Sequence, residues 1–140
     1  MKIEALREIN HLEPLLGASV TEGYRHVTRL ADDYRSGANR FDGRGEALLV
    51  ARDQDGTVLG VCGLNAMARA SVGRVRRFYV LPAVRSQGIG AALLEQVFST
   101  ARLYFVKLEL RTSDPRAAAF YVRHGFRSVE REEATHELEI

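Results

Sequence analysis

The sequence predicts a mixed α/β layer protein, and three observations carry the prediction. Apolar side chains recur at three- and four-residue spacing from Tyr24 to Tyr34 and again from Ile89 to Ala101, as helix faces do. Between those stretches the period shortens into apolar runs parted by turn residues, as strands do. The last third then adds a strand run, a helix start at Asp114-Pro115 and two more strand runs. With 140 residues, 46% hydrophobic and 27% charged, the chain suits one soluble globular domain over residues 1–140.

Lys2–Arg7 suits a short opening strand. Asn10 with Glu13 has capping-box spacing, with Pro14 tolerable in a first turn, and Ser19 with Glu22 repeats the signal before a second helix. Tyr24, Val27, Ala31 and Tyr34 form that helix's apolar stripe, and Ser36-Gly37 ends it. Asn39–Gly45 reads as a loop. Glu46–Arg52 and Thr57–Leu64 are strand runs joined by the Asp-Gly turn at Asp53–Gly56, a hairpin. Asn65–Gly73 reads as a loop or strand edge, and Arg74–Val80 as the next strand. Simple alternation would put Arg74, Arg76, Phe78 and Val80 on one face and Val75, Arg77 and Tyr79 on the other. Ile89, Leu93, Val97 and Ala101, flanked by Leu94 and Phe98, make the strongest amphipathic helix of the chain. Lys107–Arg111 alternates as a strand. Asp114 suits a helix N-cap, Pro115 the first helical position and Gly125 the residue past the helix end. Strand runs at Phe126–Glu130 and His136–Ile140 close the order.

Composition narrows the function classes. Lysine and arginine total 20 against 18 acidic residues, a net charge of +2, which is too even to argue for nucleic acid. Cys62 is the single cysteine, so no internal disulfide forms, and its strand setting suits a small core residue. The opening residues lack a signal-peptide run and no apolar window of membrane-spanning length exists, so a cytoplasmic location is expected. His11, His26, His124 and His136 show no metal-ligand spacing. Met1 to Ile140 carries no legible nucleophile–base set.

The informative segment runs from Val80 to Leu93: a strand end, a loop, and Gly88-Ile89-Gly90 opening a strong helix. The first turn of a helix has unpaired N–H groups and a positive dipole end, and glycine lets a ligand approach the backbone. That combination holds phosphate or pyrophosphate, with Arg85 available for a charge-assisted contact. A P-loop would need Gly-Lys-Ser/Thr, which is missing, and a dinucleotide fingerprint would need glycine where Leu93 stands.

Arg85-x-x-Gly88-x-Gly90, behind Phe78-Tyr79-Val80 and ahead of Ala91-Ala92-Leu93-Leu94, resembles the acyl-coenzyme A pyrophosphate motif of the GNAT superfamily of N-acyltransferases. Asp114–Phe126 resembles the late helix of the same family, and the helix and strand between the two blocks match its order. The resemblance is specific over Arg74–Phe126 and topological elsewhere. It implies a central mixed, mostly antiparallel sheet of six or seven strands with helices on both faces. It implies acetyl-coenzyme A as cofactor and direct attack by a primary amine on the acetyl group in a ternary complex. The acceptor would be a small-molecule amine or a peptide, and family members often dimerise.

Residue roles follow from the resemblance alone. Phe78, Tyr79 and Val80 would pair with the pantetheine arm as an added strand, and a strand amide near Tyr79 or Val80 would polarise the thioester carbonyl. Arg85, Ser86, Gln87, Gly88, Ile89, Gly90 and Ala91 would hold the pyrophosphate, with Asp114 and Ala117 also on the coenzyme side. Asp114 stands where the family often has Asn, and its N-cap role explains it without a ligand. Tyr121 would protonate the departing thiolate. The usual glutamate base maps to Arg76, which stays protonated, leaving Glu22, Asp42, Glu46 or a water chain as candidates. Arg74 and Arg76 would be a solvated basic face or a seat for a carboxylate-bearing acceptor. The alternatives are a non-catalytic acyl-coenzyme A sensor and an interaction domain in which the glycines only pack.

Overall fold

A computed structural model describes residues 1–69 and 71–140. The elements are β1 (Lys2–Ala5), α1 (Glu13–Thr21) behind a 3-10 turn at Ile9–Leu12, α2 (His26–Ser36), β2 (Ala47–Arg52), β3 (Val58–Ala66) and β4 (Val72–Val80). A 3-10 turn at Pro82–Val84 leads to α3 (Ile89–Ala101), β5 (Lys107–Leu110), α4 (Pro115–Arg123), β6 (Arg127–Ser128) and β7 (His136–Glu139). The seven strands form one sheet in the order β1-β2-β3-β4-β5-β7-β6. Among the described residues only β4 and β5 pair in parallel. The expected mixed, mostly antiparallel sheet is therefore present. Asn65 and Ala66 extend β3, and Val72 and Gly73 start β4, so the expected loop shrinks to the residues between them, of which residue 70 lies outside the described residues.

Helices cover both faces. Leu93, Leu94, Val97 and Phe98 of α3 and Tyr121 of α4 pack on Leu49, Leu64, Val75 and Leu108. Leu15 of α1 and Val27 and Leu30 of α2 pack on Val50, Val61 and Tyr79 across the sheet. Every α3 position of the expected stripe is buried, which is why that helix was legible from spacing alone. The two capping boxes are not formed. Asn10 accepts a hydrogen bond from Arg35 instead, and Leu12 precedes α1 without a side-chain cap. Ser19 lies inside α1 and donates to the Leu16 carbonyl, while Glu22 ends that helix. Long-range and in-helix partners took the side chains that a local reading assigns to helix starts.

Two features of β4 position the site. Its pairing with β5 is confined to Val72–Arg74 against Lys107–Glu109. From Val75 to Val80 that edge carries no strand among the described residues, so β4 and β5 splay. The second feature is a bulge. The β3–β4 register slips between Val61 and Gly63, and Arg77 takes a left-handed φ of 59°. The extra residue reverses the alternation of the strand. Phe78 and Val80 therefore join Val75 on the α3/α4 side, and Tyr79 faces α1 and α2. This corrects the expected faces: Arg74 and Arg76 do not share a face with Phe78 and Val80.

Below the splay, the strand face opposite α3 carries two buried carboxylates. Glu109 is fully buried and meets Arg69 at 2.5 Å and Arg131 at 3.1 Å, with Arg74 at 3.6 Å. Glu137 meets Arg127 and Arg131, each at 2.6 Å, and Lys107 at 3.8 Å. Hydrogen bonds from Arg131 and Arg127 hold the Glu137 carboxyl down at about 2. The basic residues of the tail thus serve the paired end of the sheet.

Candidate active site

The open edge of β4 sets the geometry. Leu81 donates its N–H to the Leu59 carbonyl at 2.9 Å, and Tyr79 faces Val61 in the same register. In an antiparallel ladder the intervening residues turn their peptide groups the other way, so Phe78 and Val80 present theirs to the splay. The Tyr79 peptide faces β3, which corrects the expectation that it would pair with a ligand. The Val80 carbonyl accepts from Arg85 Nε at 3.0 Å, and the Phe78 carbonyl from His26 Nε2 at 3.1 Å. The N–H groups of Phe78 and Val80 have no acceptor on that edge among the described residues.

The edge leads to the start of α3. Ser86 and Gly88 both take left-handed φ values, 67° and 85°. Such a loop turns successive N–H groups to one side. Gly88 is the N-cap, no side chain caps the helix, and the first helical hydrogen bond outside its body is Ala92 N–H to the Gly88 carbonyl. The amides from Gly88 to Ala91 therefore point free at the dipole's positive end. A Cβ on Gly88 would meet open space, and one on Gly90 would come within 3.5 Å of the Phe120 ring. Ile89 turns its side chain into the core, so only its amide faces the site; Ser86 and Gln87 are exposed.

The Arg85 guanidinium is committed within the protein. It grips Glu22 at 2.8 and 2.7 Å and lies over the Tyr79 ring at 5.3 Å. Glu22 also accepts from the Tyr79 hydroxyl at 2.5 Å. The Arg85 hydrogen bonds pull the Glu22 carboxyl below its ordinary range, against its partial burial. A base so occupied is a poor proton acceptor. Glu46 is likewise bound, to the amides of Gly43 and Ala66 and to Asn65.

On the α3/α4 side, Asp114 caps α4 by accepting from the Arg116 N–H at 2.9 Å, as its position foretells. Ala117 and Phe120 pack on the same core as Phe78 and Val80. Tyr121 is 7% exposed, with ring centroids of Phe78, Phe120 and Phe126 at 6.1, 5.5 and 5.5 Å. Its hydroxyl has no hydrogen-bond partner and is not one of the sealed polar atoms among the described residues. Burial pushes its phenol well above the usual range. Burial also pushes the Cys62 thiol far up, which suits a core residue and not a nucleophile.

The α1/α2 side holds a residue that spacing did not single out. His26, at the start of α2, lies edge-on to Tyr24 and Tyr79, with ring centroids at 5.5 and 5.6 Å. Burial lowers its pKa below the ordinary 6.5, against the opposing bond to the Phe78 carbonyl. Only the fold brings it to β4, from 52 positions away. Arg74 is drawn to Glu109 and the Glu133 carbonyl, Arg77 to Asp33, and Arg76 makes no ion pair among the described residues.

Comparison with known proteins agrees with this geometry. The acetyltransferase (GNAT) domain family matches residues 44–128. A solved structure from Exiguobacterium sp. 255-15, assigned as an acetyltransferase, is 37% identical over 99% of this chain and 92% of its own, with a TM-score of 0.88. A GNAT-family acetyltransferase from Staphylococcus aureus Mu50 shares the fold at 19% identity, covering 99% and 98% of the two chains, with a TM-score of 0.85. Rv2747 from Mycobacterium tuberculosis, solved with CoA and NLQ, shares it at 22% identity over 93% and 74%, with a TM-score of 0.67. No curated protein matches the sequence. The chain belongs to the GNAT acetyltransferase family. It is therefore an acyltransferase of a family that draws its acetyl group from acetyl-coenzyme A, and nothing in these likenesses supports a non-catalytic sensor. No helix among the described residues is long and apolar enough to cross a membrane.

Proposed function

We propose that this protein transfers an acetyl group from acetyl-coenzyme A to a primary amine, a small molecule or a peptide, by direct attack in a ternary complex. The observation that carries the reading is the open β4 edge, followed after the short Leu81–Gly88 loop by the uncapped start of α3. The N–H of Val80 pairs with the pantetheine arm, as an added strand would. The amides from Gly88 to Ala91 receive the pyrophosphate, and the exposed Ser86-Gln87 turn flanks it. Arg85 acts through the loop it fastens to Glu22 and to the Val80 carbonyl. The Phe78 N–H donates to the thioester oxygen as charge develops on it. Tyr121, kept protonated by burial, gives its proton to the leaving sulfur.

Titration with acetyl-coenzyme A by calorimetry and thermal shift tests the reading. Ligand at about 100 times Kd stabilises the native state by about 2.7 kcal/mol, a readily measured rise in Tm. An amine screen follows, beginning with carboxylate-bearing amines because Arg76, on the β4 face away from α3, makes no ion pair among the described residues while Arg74 and Arg77 do. No shift at millimolar coenzyme refutes the proposal.

A further inference from the structure

The transfer needs a group to take a proton from the acceptor ammonium, and the position where the family's glutamate would stand is filled by Arg76. Arg74 and Arg76 stay protonated. Glu22 is spent on Arg85 and Tyr79, and Glu46 on backbone amides. Phe78 shows where a further candidate lies. Its ring sits 6.1 Å from the Tyr121 ring on the α3/α4 side, and its carbonyl is met by His26 Nε2 at 3.1 Å. A direct transfer needs an acid at the leaving sulfur and a base at the incoming nitrogen, on opposite sides of one carbonyl carbon. Tyr121 and His26 flank a single residue of the open edge in that arrangement.

We propose that His26 is the catalytic base that accepts the proton of the amine. This assignment rests on the proposed function above and adds the acceptor side of its chemistry. A carbonyl oxygen can only accept, so the bond to Phe78 fixes the proton of the neutral ring on Nε2 and leaves the lone pair on Nδ1. Nδ1 has no hydrogen-bond partner among the described residues. The charged and titratable neighbours are Tyr24 and Glu22 from the α1–α2 turn, Arg29 from α2 itself, and Arg77 and Tyr79 from β4. Burial and the two arginines keep the ring neutral at pH 7, as a base must be.

The step balances. The acceptor ammonium gives one proton to His26 Nδ1, which passes it to water. The neutral nitrogen forms the N–C bond, and the C–S electron pair leaves with sulfur. Tyr121 donates its proton to sulfur, and the second proton of the nitrogen restores the phenol. One proton is released for each amide and thiol formed.

His26→Gln is the test, since the glutamine amide can still donate toward the Phe78 carbonyl but cannot act as a base. Turnover of the amine found in the screen is followed from pH 5 to 10, with acetyl-coenzyme A affinity and Tm measured on the same samples. The expected result is a loss of about 10²–10⁴-fold in kcat/KM for the amine at pH 7. The coenzyme Kd stays unchanged, the acidic limb below pH 6.5 disappears, and the deficit shrinks as pH nears the amine's own pKa. If the variant loses its fold, His26→Ala with added imidazole replaces it, and turnover must rise with imidazole. An active wild type whose His26→Gln variant keeps the same rate and pH profile overturns the assignment while leaving the proposed function standing, as does a His26→Ala variant indifferent to imidazole. A wild type that binds no coenzyme refutes the proposed function itself.

Discussion

Tyr121→Phe separates chemistry from packing because the substitution removes one oxygen and nothing else. The ring is 7% exposed and held by Phe78, Phe120 and Phe126 at 5.5–6.1 Å, contacts that phenylalanine keeps. The hydroxyl has no protein partner among the described residues, so its removal strands no buried donor or acceptor. The stability change is therefore about 1 kcal/mol at most, or ~2–4 °C in Tm for a chain of this size. If the phenol protonates the departing sulfur, its loss lowers kcat by about 10²–10⁴-fold, equivalent to ~2.7–5.5 kcal/mol of barrier. The catalytic effect thus exceeds the folding effect several-fold. Burial holds the phenol protonated through the working pH range, so Tyr121 contributes no basic limb to the wild-type profile. Free-thiol release and a thermal melt on the same samples give both numbers. A variant with wild-type Tm and a kcat within about twofold of wild type refutes the acid role and leaves Tyr121 as a packing residue.

Three further outcomes follow from the geometry. Gly88→Val forces a β-branched residue to the φ of 85° at the start of α3, costing about 1–2 kcal/mol of stability and weakening acetyl-coenzyme A binding by at least ~10-fold; an unchanged Kd by calorimetry refutes the amide cradle. Glu22→Gln weakens the ion pair that fastens the Arg85 loop, so coenzyme Kd loosens a few-fold; an unchanged or tighter Kd means that the pair does not hold the loop. Glu137 has a folded-state value of about 2 against an ordinary 4.5, so its contribution is full above pH 4.5 and is lost as pH falls toward 2. The depression corresponds to about 3 kcal/mol, discounted to ~1–2 because Arg127 lies mostly in solvent. Urea melts at pH 7 and pH 3 check it: Glu137→Gln narrows the wild-type stability difference, and an equal difference in both proteins excludes the contribution.

Elements governed by local chemistry were legible in the sequence. The four-residue repeat of α3, the Asp114 cap and the glycines at positions 37, 56 and 125 act through their own backbone or through one face. Elements decided by distant partners were not. Nothing in Val72–Val80 marks Arg77 for a left-handed φ, because the slip is set by pairing with β3. Asn10 and Ser19 carry helix-start chemistry, yet Arg35 and the Leu16 carbonyl claim them. The α3 side of the proposed site was readable as a motif because consecutive amides would do its work. The His26 side was not, since its meaning comes from a carbonyl on another element.

The bulge ties these two sides together. In a regular strand Phe78 would share the face of Arg76, and Arg77 and Tyr79 would turn with Val75 toward α3 and α4. The inserted residue instead turns the apolar end of β4, Phe78 and Val80, toward α3 and α4, while Arg74 and Arg76 stay on the opposite face. One strand thus offers an apolar lining where a thioester sulfur would lie and a basic face where an amine would approach. Tyr79, turned to that second face by the same slip, reaches Glu22 and through it Arg85. A shift of the α1–α2 turn on the acceptor side therefore pulls on the loop that orients the amides of Gly88 to Ala91. Any displacement of Glu22 has a direct mechanical path to the proposed phosphate seat, through its bonds of 2.5 Å to Tyr79 and 2.7 Å to Arg85.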